Sequence, residues 1–120
     1  MAQLLVVDDS HSMRHLVVNT LLNAEHDIKS AADGLEALNI AKSSTFDAVI
    51  TDLNMPVMDG ITLVKELRQL PQYYYIPILL LTTESSEEKK IAGKKAGATG
   101  WIVKPFQPEK LVGLVDRVVN

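Results

Sequence analysis

Three acidic side chains and one lysine each stand where a short apolar run of the chain ends: Asp8, Asp9, Asp52 and Lys104. Runs of this kind are typical of strands buried on both faces of a parallel sheet, and ligands bind at the carboxyl ends of such strands. Three carboxylates gathered there would repel one another unless a cation held them, and their hard oxygens suit Mg²⁺. The pattern therefore predicts a magnesium-dependent phosphoryl site in which Lys104 meets the phosphate.

Strand and helix patterns alternate along the chain to position these side chains. The strands are predicted at five runs: 4–7, 27–31, 46–52, 78–82 and 101–103. Five helices are predicted between and after them, the first at 11–23 and the last opening at Pro108, a favoured first helical residue. Helical spacing predicts that these two helices bury Met13, Leu16, Val17, Leu21, Leu111, Leu114, Val115 and Val118.

The alternation also predicts how the elements are arranged. It implies parallel strands joined by right-handed crossovers, with helices on both faces of the sheet. The second strand carries Asp27, Lys29 and Ser30 and is the most polar, so we place it at an edge. The predicted fold is a three-layer α/β sandwich with strand order 2-1-3-4-5. In that order the ends of the first and third strands form one crevice, which holds all three aspartates.

Composition narrows the class of protein. A chain of 120 residues is predicted to form one domain, residues 1–120, with 47% hydrophobic and 22% charged residues. Its net charge of −3 argues against a general nucleic-acid binder, and the absence of cysteine excludes disulfides and thiolate metal sites. No apolar stretch reaches the roughly 18 residues that span a bilayer, and no charged signal region precedes the first apolar run. We expect a cytoplasmic protein without a membrane partner.

Four segments, taken in order, carry a resemblance to a known family. They are VVDDS at 6–10, TDLNMP at 51–56 with Asp59-Gly60 following, Thr82, and KPF at 104–106. In this order and at these strand ends they resemble the receiver domain of two-component response regulators, over the whole chain. The segments at 12–14 and 97–101 are similar to those of stand-alone chemotaxis members. The resemblance implies a flavodoxin-like fold and a signalling switch activated by phosphorylation.

The resemblance also implies a role for each site residue. Asp52 would accept a phosphoryl group from a histidine kinase. Lys104 would neutralise charge on Asp52 and on the phosphoryl oxygens, and the Thr82 hydroxyl would donate to one of those oxygens. In this family the bond between Lys104 and Pro105 is usually cis. The expected magnesium ligands are Asp8, Asp9, Asp52 and Asn54.

Phosphorylation is expected to change one face of the molecule. A new charge of about −2 should draw Thr82 and the loop after it toward Asp52, which opens space under Trp101. In the family this position is usually Tyr or Phe, which turns inward and remodels the face formed by the fourth helix, fifth strand and fifth helix. The larger Trp ring is expected to fit that pocket poorly, so we expect a two-state switch without aromatic rotation. Thr83 is larger than the family's usual small residue and should slow small phosphodonors.

Partners follow from the same resemblance. The donor would be a phosphohistidine on a CheA-type kinase, and the target a flagellar motor switch protein. A phosphate sink and a phosphorelay intermediate are the alternatives within the family. We expect a monomer that is not an enzyme in the usual sense but a phosphoacceptor that assists its own phosphoryl transfer and dephosphorylation. Asn54 and Glu84 would flank the path of the attacking water.

Several residues also have plainer structural interpretations. The acid pair at 8–9 is often only a helix cap. His11 and His15 share a helix face, but no third metal ligand stands nearby. Ser85 is expected to cap the charged fourth helix. The tyrosines at 73–75 are expected in a loop that packs on the end of the sheet, with a partner contact as the alternative.

Three other classes of protein share part of this pattern. A haloacid-dehalogenase-type phosphatase also uses an aspartyl nucleophile with magnesium, but it requires an acid where this chain has Asn54. A nucleotide-binding switch requires a Gly-x-x-x-x-Gly-Lys-Ser/Thr loop, which the segment at 93–95 does not supply. A flavodoxin-like cofactor binder would have its flavin phosphate repelled by the three aspartates. The receiver interpretation is therefore the one that uses every site residue.

Overall fold

The computed structural model describes residues 2–83 and 86–119, and in this part of the chain five parallel strands form one sheet. They are β1 Gln3–Val7, β2 Asp27–Ala31, β3 Ala48–Thr51, β4 Ile78–Thr82 and β5 Gly100–Val103. The strand order is β2-β1-β3-β4-β5, so the predicted order and the edge position of the polar second strand are confirmed. β3 is shorter than the predicted run 46–52, because its pairing with β1 ends at Thr51 and Asp52 already belongs to the following loop.

Helices alternate with these strands along the described residues. They are α1 His11–Asn23, α2 Gly34–Ser43, α3 Gly60–Leu67, α4 Glu87–Ala96 and α5 Pro108–Val119. Ser10 and Ser86 cap α1 and α4, each accepting a backbone N–H three residues further on. The predicted cap Ser85 lies outside the described residues. None of the helices in the described ranges is long and apolar enough to cross a bilayer.

The two faces of the sheet carry separate hydrophobic clusters, because successive strand side chains point to opposite faces. In β1, Leu5 and Val7 pack with α2 and α3 on one face. Leu4 and Val6 pack with α1 and α5 on the other. All four side chains are buried, so β1 is an interior strand of the sheet, and it ends at the candidate site.

The predicted helix cores are partly right. Val17 and Leu21 of α1 are buried, as are Leu111 and Val115 of α5. Leu16, in contrast, is 48% exposed, and its predicted burial was wrong. It lies next to Val17 and therefore about 100° around the helix, outside the narrow stripe that meets the sheet. The other predicted core side chains are half-buried against the same cluster: Met13, Leu114 and Val118.

The three tyrosines do not share one environment. Tyr73, in the 3-10 helix Pro71–Tyr73, is fully buried, and its hydroxyl lies 2.8 Å from the Ala41 carbonyl oxygen and 2.7 Å from that of Ser44. Tyr75 is 96% exposed. Only the first tyrosine therefore packs on the end of the sheet as predicted, and it closes the gap between α2 and β4.

Candidate phosphoryl site

The acidic side chains meet because of the register between two neighbouring strands. β1 and β3 are parallel, and Val7 is paired with Thr51. The next residues along the chain, Asp8 and Asp52, therefore leave the same edge of the sheet side by side. Asp9 follows directly, and carboxylate oxygens of the three aspartates lie within 4.8 Å of one another. The structure thus brings together the three acids that the sequence placed in one crevice.

Lys104 reaches this cluster from the end of β5. Its Nζ lies 2.8 Å from Asp8 Oδ2 and 3.5 Å from Asp52 Oδ2. The Lys104 backbone N–H donates to the Thr82 carbonyl at 2.8 Å, which fixes where the side chain starts. The Lys104–Pro105 bond is cis, as the resemblance implied. The lysine therefore bridges two of the aspartates across the intervening strand β4.

Negative charge exceeds positive charge at this site. Three carboxylates face one ammonium group, and the Lys104 and Asp8 side chains are both more than nine-tenths buried. Burial raises the pKa of Asp52 above its ordinary value; Lys104 opposes this shift, and the neighbouring charge of Asp8 adds to it. A cation with oxygen ligands would relieve the remaining repulsion.

The loop after β3 holds Asp52 in a fixed orientation. Asp52 Oδ1 accepts the Leu53 N–H at 2.7 Å, so the other oxygen faces Lys104. The Gly60 N–H donates to the Leu53 carbonyl at 2.8 Å. A Cβ at Gly60 would lie 2.2 Å from the Asp52 carbonyl oxygen, so only glycine lets α3 begin this close to the site.

The remaining predicted site residues lie around the same edge of the sheet. Thr82 is the last residue of β4 and is fully buried. Thr83 and Asn54 are exposed in the loops after β4 and β3. Glu84, the other expected neighbour of the water path, lies outside the described residues. Asn54 therefore lies in the same loop as Asp52, and Thr82 lies at the end of the neighbouring strand β4.

Sequence reasoning missed how α1 is tied to this site. Arg14 Nη1 donates to the Asp8 carbonyl at 2.6 Å, and Ser10 N–H donates to Asp8 Oδ1 at 2.9 Å. Ser10, not an aspartate, caps α1, so the plain helix-cap interpretation of the acid pair does not hold. The His11 and His15 rings stack with their centroids 6.3 Å apart, and among the described residues neither joins a metal-ligand cluster. The sequence signal for this contact was Arg14, an arginine one turn into the helix that follows the acid pair.

The fold and the site together define a class of protein. Residues 4–116 match the family described as the response regulator receiver domain, and the chain belongs to this family. Receiver domains are signalling switches that depend on phosphorylation. The predicted family and the predicted flavodoxin-like sheet are confirmed.

Relatives within the family include chemotaxis proteins. The chain is 43% identical to the chemotaxis protein CheY homolog of Campylobacter jejuni, over 98% of this chain and 92% of the relative. It is 39% identical to CheY-3 of Vibrio cholerae, over 97% of this chain and 90% of that protein. The solved structure of Vibrio cholerae CheY4 is similar at a TM-score of 0.95, with 53% identity and 98% of both chains covered. The chain is therefore a receiver domain homologous to CheY-type response regulators.

Proposed function

We propose that Asp52 is the phosphoacceptor of this receiver and that the cluster around it drives the transfer. One observation carries the proposal. A carboxylate fixed by the Leu53 N–H stands within 4.8 Å of two further acids and 3.5 Å from a buried lysine. Structural ion pairs normally balance charge, whereas this cluster keeps an excess of negative charge beside a nucleophilic oxygen.

The donor set fits Mg²⁺, because it consists of carboxylate oxygens from neighbouring strand ends. Asp9 and Asp52 would hold the ion directly, the Asn54 main-chain carbonyl would be a third ligand, and Asp8 would act directly or through water. Bound there, Mg²⁺ supplies positive charge to the phosphoryl oxygens. The same charge favours the ionised form of Asp52, which its burial disfavours.

The protein's own groups then account for the transfer. An Asp52 oxygen forms the new bond to phosphorus while the bond from phosphorus to the donor's imidazole nitrogen breaks, and the electron pair leaves with the imidazole, which takes up a proton. Lys104 is in reach of Asp52 and would pair with a phosphoryl oxygen. The Thr82 hydroxyl would donate to a second one. Asn54 would orient the water that later hydrolyses the acyl phosphate, so the receiver assists its own dephosphorylation.

The signal would leave through the face formed by α4, β5 and α5. We propose that residues 1–120 act as one cytoplasmic, monomeric receiver, with a CheA-type kinase as donor and a flagellar motor switch protein as target. The homology to CheY-type proteins supports this assignment. Transfer from a phosphorylated CheA-type kinase, followed by tighter binding to the motor switch protein, would support it. Transfer without any gain in binding would favour a phosphate sink or a relay intermediate.

The test of the chemistry is the intact mass after incubation with acetyl phosphate, with and without Mg²⁺. The native chain should gain one phosphoryl group only with Mg²⁺, and Asp52→Asn should gain none. Asp33→Asn is the matched control, because Asp33 only caps α2 and asparagine caps a helix as well as aspartate does. It should be phosphorylated like the native chain. An adduct that persists in Asp52→Asn would refute the proposal. So would the absence of an adduct in the native chain with both acetyl phosphate and a phosphohistidine donor.

A further inference from the structure

The side chain of Trp101 lies inward, against the core of the protein. Trp101 is paired with the fully buried Leu80 across β5 and β4 and packs against the hydrophobic cluster beneath α4. The indole Nε1 is buried, and among the described residues it has no hydrogen-bond partner. A polar group buried in this way is held by packing, since no hydrogen bond draws it inward.

Gly93 of α4 makes room for this ring. A Cβ built on Gly93 would lie 3.3 Å from Trp101 Cζ3 and 2.8 Å from Leu80 Cδ1. Leu80 is fully buried and belongs to the packed core. A side chain at position 93 would therefore press on Leu80 Cδ1 and would require the indole to shift by a few tenths of an ångström. The expectation that a tryptophan would fit poorly at this position overlooked the missing side chain on the facing helix.

We propose that Gly93 and Trp101 form a matched pair that keeps the aromatic ring inward before phosphorylation and leaves it there afterwards. The inference rests on the proposed function, because it concerns how phosphorylation of Asp52 reaches the α4–β5–α5 face. On this face the ring then keeps one position. A cavity of about 310 Å³, lined by Trp101 and by Lys90 and Lys94 of α4, adjoins the ring. The switch must then act through Thr82 and the start of α4.

Fluorescence tests this directly, because Trp101 is the sole tryptophan of the chain. The emission maximum and the acrylamide quenching constant should be the same before and after phosphorylation by acetyl phosphate with Mg²⁺, with the adduct verified by mass. A shift of the emission or a change in quenching on phosphorylation would mean that the ring moves, and would overturn the proposal. If no adduct forms with acetyl phosphate or with a phosphohistidine donor, the proposed function fails instead, which the mass measurement separates from a failure of the matched pair.

Two glycine substitutions test the origin of the inward position. Gly93→Ala should shift the emission maximum and raise the quenching constant, because the added Cβ presses on Leu80 Cδ1 and moves the ring out of its packed position. Gly113→Ala is the matched control, since a Cβ at Gly113 in α5 meets nothing within 4 Å. It should leave both values unchanged. Unaltered fluorescence in a folded Gly93→Ala would refute the role of Gly93, and if that variant does not fold, the comparison of the native chain in its two states still decides whether the ring moves.

Discussion

The two ends of the sheet differ in how their buried polar side chains are paired. At the amino end these side chains have hydrogen-bond and ion-pair partners. At the carboxyl end three carboxylates face a single lysine. His26, at the amino end, accepts the Ala2 N–H at Nδ1 and places Nε2 2.9 Å from Asp116. Both ends are built from strand termini and helix ends of the same sheet. The difference between them therefore lies in the side chains that each end gathers, not in the backbone.

Arg68 shows how completely the amino end is satisfied. Its guanidinium donates to the carbonyls of Tyr73 at 2.7 Å, Ile76 at 2.6 Å and Gly97 at 2.8 Å. Burial lowers its pKa, but the carbonyl oxygens of the α3–β4 loop and of the end of α4 receive its hydrogens. One side chain thus ties two connections to the sheet. The bond to Gly97 thus anchors the C-terminal end of α4.

Structural and functional polar groups of this fold differ in how their charges and hydrogen bonds are balanced. Where each donor has an acceptor, removing a group should cost stability and leave the chemistry intact. Where like charges exceed their partners, removing one should raise stability and abolish the chemistry. The two ends of the sheet should therefore respond to substitution with opposite signs.

The largest effect is expected for Arg68→Met. The substitution keeps the apolar stem but leaves three carbonyls without their donor, so the free energy of unfolding should fall by about 3 kcal/mol. Urea denaturation measures it. Lys65→Met is the control, because Lys65 is an exposed cation on the same helix α3 and should change stability by less than about 0.5 kcal/mol.

A loss below about 1 kcal/mol in Arg68→Met would mean that water replaces the guanidinium without cost. The polar groups at the amino end would then contribute little to the stability of the fold. The phosphorylation yield of a folded Arg68→Met should equal that of the native chain, since the side chain lies at the other end of the sheet from Asp52.

A smaller effect is expected for Tyr73→Phe. The change removes only the hydroxyl, which donates toward the Ala41 and Ser44 carbonyls, and should cost about 1–2 kcal/mol. Tyr75→Phe makes the same chemical change at a side chain that is 96% exposed, and it should cost nothing measurable. Equal stability of the two variants in thermal denaturation would show that the buried hydroxyl is not needed to close this end.

Elements that depend on local spacing were predictable from the sequence, and partners distant along the chain were not. The bounds of α1 and the neighbouring positions of Asp8 and Asp52 follow from periodicity and from parallel pairing. Arg68 and its acceptor Gly97 are 29 residues apart, and no periodic signal connects them. The fit of Trp101 likewise depends on an absent side chain in α4, which an isolated strand pattern does not reveal.

At the carboxyl end, Asp52→Asn should change the free energy of unfolding in the opposite direction, and this is the smallest effect expected. Because the folded pKa of Asp52 is raised, its contribution to stability is present below the ordinary value of about 3.9 and is lost as the pH rises through the folded pKa. At pH 7 without Mg²⁺ the variant should therefore be more stable than the native chain, and the difference should vanish in acid. Urea denaturation of both proteins at the two pH values measures it, with Asp33→Asn as a control that shows no difference. A variant less stable than the native chain at pH 7 would mean that the Lys104 ion pair outweighs the repulsion, and that this end too is built for stability.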